Sequence, residues 1–333
     1  ESPAMRMLLK KLQVDNYLGL VAASSVIRPG VAKSGMMREY ILRYRHPEKR
    51  KDAHPILLKI MPETYGVMVY QEDVIKVAHY FGGLTLGESD MLRRGMSGKF
   101  RSREEFLKVK NQFFENCKQK GHSNELTGEI WRQIESFAGY AFAKGHSASY
   151  AVESYQSLFL KCYYPIEFMT AVLNNGGGFY STEHYIHEAK MCGATIALPC
   201  INKSDHANRI KEKTIYLGFG YLKNLEHLLV QRFLTERQLY GPFLSLDNFI
   251  DRIAISIEQL SVLIRIDAFR FTKKPKTKLL WEATFKLHKT KTQKVEQQVK
   301  LFRLQHQNFE IPKLNSHWLE NVYDEIALLG FTI

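Results

Sequence analysis

Cysteine is scarce, and no two cysteines are spaced for chelation. Cys117, Cys162, Cys192 and Cys200 contain no Cys-x-x-Cys pair, which argues against a zinc ribbon or a thioredoxin-like site. Reduced thiols in a reducing cytoplasm are the expected state. No run approaches 18 consecutive apolar residues, so no transmembrane helix and no membrane partner are expected. Glu1-Ser2-Pro3 is not the basic-then-apolar start of a signal peptide, and an initiator methionine is missing. The chain is therefore expected to be a fragment of a longer protein. Asp-x-Asp does not occur; the nearest approach is Glu88-Ser89-Asp90. Two-metal phosphoryl transfer needs carboxylates that converge on divalent cations, and the sequence offers no such pair. A Gly-x-x-x-x-Gly-Lys-Ser/Thr loop is also missing, which argues against a P-loop nucleotidase. The 12 histidines are scattered, and no Ser-His-Asp or Cys-His arrangement follows from their spacing. No fixed-period repeat is found, so a solenoid is not expected.

Positive charge is abundant. Lys+Arg 47 against Asp+Glu 34 gives a net charge of +13 over 333 residues. An excess of this size favours a polyanionic partner, most often nucleic acid. Hydrophobic content of 45% and charged content of 24% are ordinary for a globular chain, and the length suits two or three domains.

Helical periodicity dominates. Helices are expected over Met36–Tyr44, Gln71–Tyr80, Leu86–Met96, Arg103–Lys120, Asn124–Phe137, Ser147–Tyr163, Ile166–Asn174, Thr182–Cys192, Leu225–Tyr240 and Ser256–Ala268. Thr85 and Glu88 have the spacing of a capping box. Val67–Tyr70 is either a brief strand or the entry to the following helix, and Ile215–Phe219 is the best strand. The Asn174-Asn175-Gly176-Gly177-Gly178 run marks a domain edge. Residues 273–300 carry nine lysines against Glu282 and Glu296, the pattern of a solvated, partly flexible basic arm.

Two clusters carry candidate chemistry. Arg93-Arg94 lies near a helix end before Gly95, and a guanidinium fork suits phosphate. Asp90, four residues before Arg94, is alternatively its partner on the helix face. Lys144-Gly145-His146-Ser147 precedes a helix, where free N–H groups favour an anion; an ordinary cap with Ser147 at the N-cap is the alternative. Tyr140, Phe142, Tyr150 and Tyr155 suit base stacking, or else core packing.

Together these segments resemble a known family. Arg28-Pro29-Gly30, Glu63-Thr64-Tyr65-Gly66, Tyr70-Gln71-Glu72, Leu92-Arg93-Arg94-Gly95-Met96, Phe137-Ala138-Gly139-Tyr140, His146-Ser147, Ser154-Tyr155-Gln156 and Tyr164-Pro165-Ile166-Glu167-Phe168 occur in this order. The pattern closely resembles the alpha subunit of bacterial DNA polymerase III, a C-family replicative polymerase. The resemblance implies a mainly α-helical fragment of a DNA-directed DNA polymerase. Its expected parts are a fingers domain (1–175), a connector (176–205), a helix-hairpin-helix-like module (206–272) and a basic arm with a clamp-binding motif and a terminal helix (273–333). By the same resemblance Arg93 and Arg94 bind the triphosphate of the incoming dNTP, and Lys144, His146 and Ser147 line its pocket. Arg28, Lys99, Arg101 and Lys223 are expected on the DNA primer-template. Gln298, Leu301 and Phe302 fit the Gln-x-x-Leu-Phe pattern that docks on the sliding clamp, and other replicase subunits are further expected partners. The family's catalytic aspartates and their Mg²⁺ belong to a palm outside this chain, so the fragment alone is expected to be inactive. The rival expectation is a non-catalytic DNA-binding or scaffold protein with a polymerase-derived fold.

Three departures from the family pattern stand out. Val31 follows Arg28-Pro29-Gly30 where the family has proline. Ala143 and Gly145 replace the Asn and first Ser of Asn-Lys-Ser-His-Ser. Leu222-Lys223-Asn224-Leu225-Glu226 lacks the hairpin glycines that expose N–H groups to phosphate, so a mainly structural module is as expected as a DNA-gripping one.

Overall fold

The computed structural model describes residues 2–27, 31–32, 34–95, 103–137, 143–292 and 317–333. The protein is mainly α-helical. Among the described residues there is one sheet, of three short strands. Two compact units divide between Leu158 and Phe159, inside the Lys144–Tyr163 helix. That division lies upstream of the glycine run at 176–178, because Met169 and Leu173 of the Pro165–Asn174 helix are buried in the core of the second unit.

In the first unit the apolar faces of the helices close on one core, which includes Leu12, Val26, Tyr40, Met68, Phe81, Phe113, Trp131 and Ile134. The packing is tight: a Cβ on Gly82 would fall 2.2 Å from the Phe113 ring, so glycine is required there. The capping box at Leu86–Arg94 forms as the spacing predicts. The Thr85 hydroxyl accepts from the Glu88 N–H at 3.2 Å, and the Glu88 carboxylate accepts from the Thr85 N–H at 2.8 Å.

Residues 67–70 are not a strand but a buried, extended entry to the Gln71–Lys76 helix. That helix stops short of Tyr80 because it widens into a π turn, Val77–Phe81. Its start is fixed by Asp73, only 3% exposed, whose Oδ2 accepts from the Val69 and Tyr70 N–H groups at 3.0 Å each. Burial pushes the Asp73 carboxyl up, while those two hydrogen bonds pull it back down.

The second unit contains the sheet, in the order β1-β3-β2. β1 (Thr195–Ala197) runs parallel to β3 (Thr214–Tyr216), with Ile196 opposite Ile215. β2 (Arg209–Lys211) is antiparallel to β3. Ile215 is fully buried, as are Phe219, Phe233, Phe243, Phe249 and Phe269. Phe233, Phe243 and Phe269 each lie within 6.0 Å of Phe249, centroid to centroid.

The expectation of a solvated arm from residue 273 is corrected over its first half. Lys276–Thr292 is a helix, with Leu279 and Ala283 buried in the second core. The lysines conceal a stripe of apolar residues four apart, and the ammonium groups of Lys274 and Lys276 find acceptors. Lys276 donates to the Arg265 carbonyl at 2.6 Å and pairs with Asp324 at 3.1 Å, and Lys274 pairs with Glu282 at 2.8 Å.

Asp73→Ala should leave two buried amides without their acceptor and cost about 2–4 kcal/mol. Urea unfolding checks this. A loss below about 0.5 kcal/mol would mean that the helix start is set by something else.

Candidate nucleotide and DNA interface

The arginine pair sits on the last turn of the Leu86–Arg94 helix. The side chain of Asp90 reaches both members because its two oxygens face the i+3 and i+4 positions at once. Oδ1 accepts from Arg93 Nε at 2.9 Å and Nη2 at 2.7 Å, and Oδ2 pairs with Arg94 Nε at 3.0 Å. The Arg93 hydrogen bonds lower the Asp90 carboxyl below its ordinary pKa. The stability this group contributes is present at neutral pH and is lost as pH falls through the depressed pKa. The Arg93 side chain is 31% exposed and that of Arg94 62%. The local pairing seen in the sequence therefore forms, and it takes in both arginines without burying either.

Lys144 opens the Lys144–Tyr163 helix, three residues earlier than the sequence suggests. Its N–H is one of the groups a helix start leaves unpaired, and the Glu72 carboxylate accepts from it at 3.0 and 3.1 Å. The anion expected at this helix start is thus supplied by the protein itself. Lys144 Nζ pairs with Glu63 and lies 5.6 Å above the Tyr70 ring. His146 is exposed. Ser147 corrects the expectation of a pocket-lining hydroxyl: it is 2% exposed and forms a buried hydroxyl pair with Ser25. Lying inside the helix, it is not an N-cap either. Its contribution is to hold the helix against the Tyr17–Val26 helix.

One short helix joins the two clusters. Gln71 Oε1 accepts from Arg93 Nη1 at 3.4 Å, and the next residue, Glu72, clasps the Lys144 segment. Sequence reasoning quoted Gln71-Glu72 only as part of the family pattern and missed this linking role. Its one signal was a Gln and a Glu side by side in the first turn of a helix, where side chains are free to reach outward. Tyr150 and Tyr155, on the same helix as Lys144, are about half exposed, at 51% and 49%. Both are open to the stacking that the sequence weighed against core packing. Arg28, Lys99, Arg101, Tyr140, Phe142, Gln298, Leu301 and Phe302 lie outside the described residues.

In the second unit Lys223 is exposed at the hairpin. Asn224 takes the left-handed conformation, φ 64°, where glycine is the usual residue. Two of the hairpin amides are already engaged. Lys223 N–H donates to the Leu328 carbonyl at 2.9 Å, and Glu226 N–H to Gln259 Oε1 at 2.8 Å. Gln259 closes the loop by donating to the Asn224 carbonyl at 2.9 Å. These contacts favour the structural role over phosphate gripping at this hairpin. Among the described residues no three His, Cys, Asp or Glu side chains group to hold a metal.

Comparison with known proteins agrees with this layout. The profile of the bacterial DNA polymerase III alpha subunit finger domain matches residues 1–121, and that of a helix-hairpin-helix motif matches residues 193–279. The DNA polymerase III subunit alpha of Aquifex aeolicus is 32% identical over the whole chain, which covers 28% of that relative. The Borreliella burgdorferi subunit is 34% identical over 76% of the chain and 22% of its own length. That of Staphylococcus aureus is 35% identical over 84% and 26%. The chain spans about a quarter of the length of these curated relatives.

Glu72→Ala should free the first amide of the Lys144–Tyr163 helix, at a cost of about 0.5–2 kcal/mol, and speed hydrogen exchange at Lys144. Unchanged exchange there would show that the clasp does not hold this helix start. With both modules matched in the order the fold presents them, the chain belongs to the bacterial DNA polymerase III alpha subunit family, as its fingers-to-helix-hairpin-helix portion.

Proposed function

We propose that this chain forms the nucleotide-facing fingers surface and an adjoining helix-hairpin-helix module of a template-directed DNA polymerase. One observation carries the reading: a guanidinium pair and a lysine-led helix start, distant in sequence, are tied to the adjacent residues Gln71 and Glu72. In the proposed reaction the primer 3′ hydroxyl attacks the α-phosphorus of a dNTP and pyrophosphate leaves. Mg²⁺, held by carboxylates outside this chain, would activate the hydroxyl and neutralise the leaving group. The part played here is to bind, orient and neutralise the triphosphate.

Magnitudes support that role. Asp90 and Glu63 hold their cations in exposed or half-exposed pairs, worth about 0–1 kcal/mol each. A triphosphate offers several charge-assisted bonds of about 1.5–3 kcal/mol, so it can displace Glu63 from Lys144 at small cost and can bind Arg94 at the outer edge that Asp90 does not cap. Arg93, Arg94 and Lys144 are the proposed triphosphate contacts, with exposed His146 beside them. Tyr150 and Tyr155 offer π faces to a base or to the template. Net charge, Arg28, Lys99 and Arg101 support a DNA backbone contact. Lys223 is proposed only as a peripheral contact, given the engaged hairpin. Gln298, Leu301 and Phe302 are proposed to dock on the sliding clamp, through which the other replicase subunits are reached.

Arg93→Ala and Arg94→Ala in the full-length polymerase should each raise the dNTP KM about tenfold or more, in line with the loss of a charge-assisted bond. Steady-state kinetics with unchanged KM and kcat would sink the assignment. Leu301→Ala combined with Phe302→Ala should abolish clamp pull-down, and retained binding would place that contact elsewhere.

A further inference from the structure

We infer that Asp90, the one carboxylate shared by Arg93 and Arg94, is a positioning residue for triphosphate binding rather than a competitor for it. The inference rests on the triphosphate reading of the arginine pair and adds a residue and a direction of effect.

The argument lies in which guanidinium edges Asp90 uses. On Arg93 it takes the side edge, Nε and Nη2, and leaves Nη1 directed at Gln71 Oε1. On Arg94 its hydrogen bond reaches Nε, and that side chain is the more exposed of the two, at 62%. Asp90 therefore grips the two arginines from their stems and does not cap the outer edge of Arg94, the edge with which a guanidinium binds phosphate oxygens bidentately. Only a residue with two acceptor oxygens, placed at both i−3 and i−4, can hold both at once. Asparagine has a single acceptor, and its amide N–H groups would face a cation.

Two opposing effects set the sign. Ordering an arginine before the ligand arrives is worth a factor of roughly two to ten in binding per side chain. A carboxylate about 7 Å from a phosphate charge costs roughly threefold in water, and screening reduces this further. With two arginines ordered, positioning outweighs repulsion.

The test is Asp90→Asn in the full-length polymerase, beside Asp90→Glu, Arg93→Ala and Arg94→Ala, with dNTP KM and kcat measured separately on a primer-template. Asp90→Asn should raise KM about three- to tenfold and change kcat less than twofold. Thermal unfolding should be little affected, because Asp90 is a half-exposed helix-surface residue. Asp90→Glu, which keeps two acceptors, should recover much of the KM. An unchanged or lowered KM in Asp90→Asn, with the arginine variants impaired, overturns the positioning role and leaves the triphosphate reading standing. If the arginine variants are themselves unimpaired, the triphosphate reading falls and this inference with it. A KM rise that tracks a drop in melting temperature, and that Asp90→Glu does not relieve, also overturns it.

Discussion

A single buried carboxylate sets the frame for the candidate site. Asp73 accepts from the Val69 and Tyr70 amides and so fixes where the Gln71–Lys76 helix begins. Because that start is fixed, Gln71 and Glu72 stand in the first turn with their side chains directed outward, one to the arginine pair and one to the start of the Lys144–Tyr163 helix. Shift the helix start by one residue and both reaches fail, since a residue's direction turns by about 100° per step. Burial makes Asp73 costly to ionise, and two backbone hydrogen bonds offset that cost. The geometry is held by the group least free to move.

Around this frame the cations of the first unit meet acids of the same chain. Asp90 holds two arginines, Glu72 caps a helix, and Glu63 pairs with Lys144. None of these three is a deeply buried pair, and Glu63 is inexpensive to exchange for a stronger anion. The second unit handles its charge differently. Arg237, Arg270 and Lys276 spend theirs on carbonyl oxygens and acids of their own unit. A net charge of +13 thus divides into cations on exchangeable duty near the fingers surface and cations that act as fasteners.

Much of the fold was readable from residue order. The Thr85–Glu88 capping box, the helix at Asn124 and the helix that Pro165 opens are local events, driven by contacts within a few residues. Where the reading failed, distant residues decided. Leu279 and Ala283 were hidden by the lysine-rich stretches on either side of them, and only the second unit's core shows that they are buried. The Lys144–Tyr163 helix begins early because Glu72, 72 residues away, caps it. Ser147 faces inward because Ser25 stands opposite.

The candidate site divides in the same way. Sequence by itself determined the family pattern, the residue types suited to phosphate and the possibility that Asp90 meets Arg94, because these depend on order and on helical spacing. Only the tertiary structure decided that Asp90 serves both arginines, that Gln71 and Glu72 join two clusters, that Ser147 is interior and that two of the hairpin amides are engaged. The physical reason is reach. Side-chain hydrogen bonds act over about 3 Å, and which groups come that close across 70 residues of chain is settled by core packing, which leaves no periodic trace in the sequence.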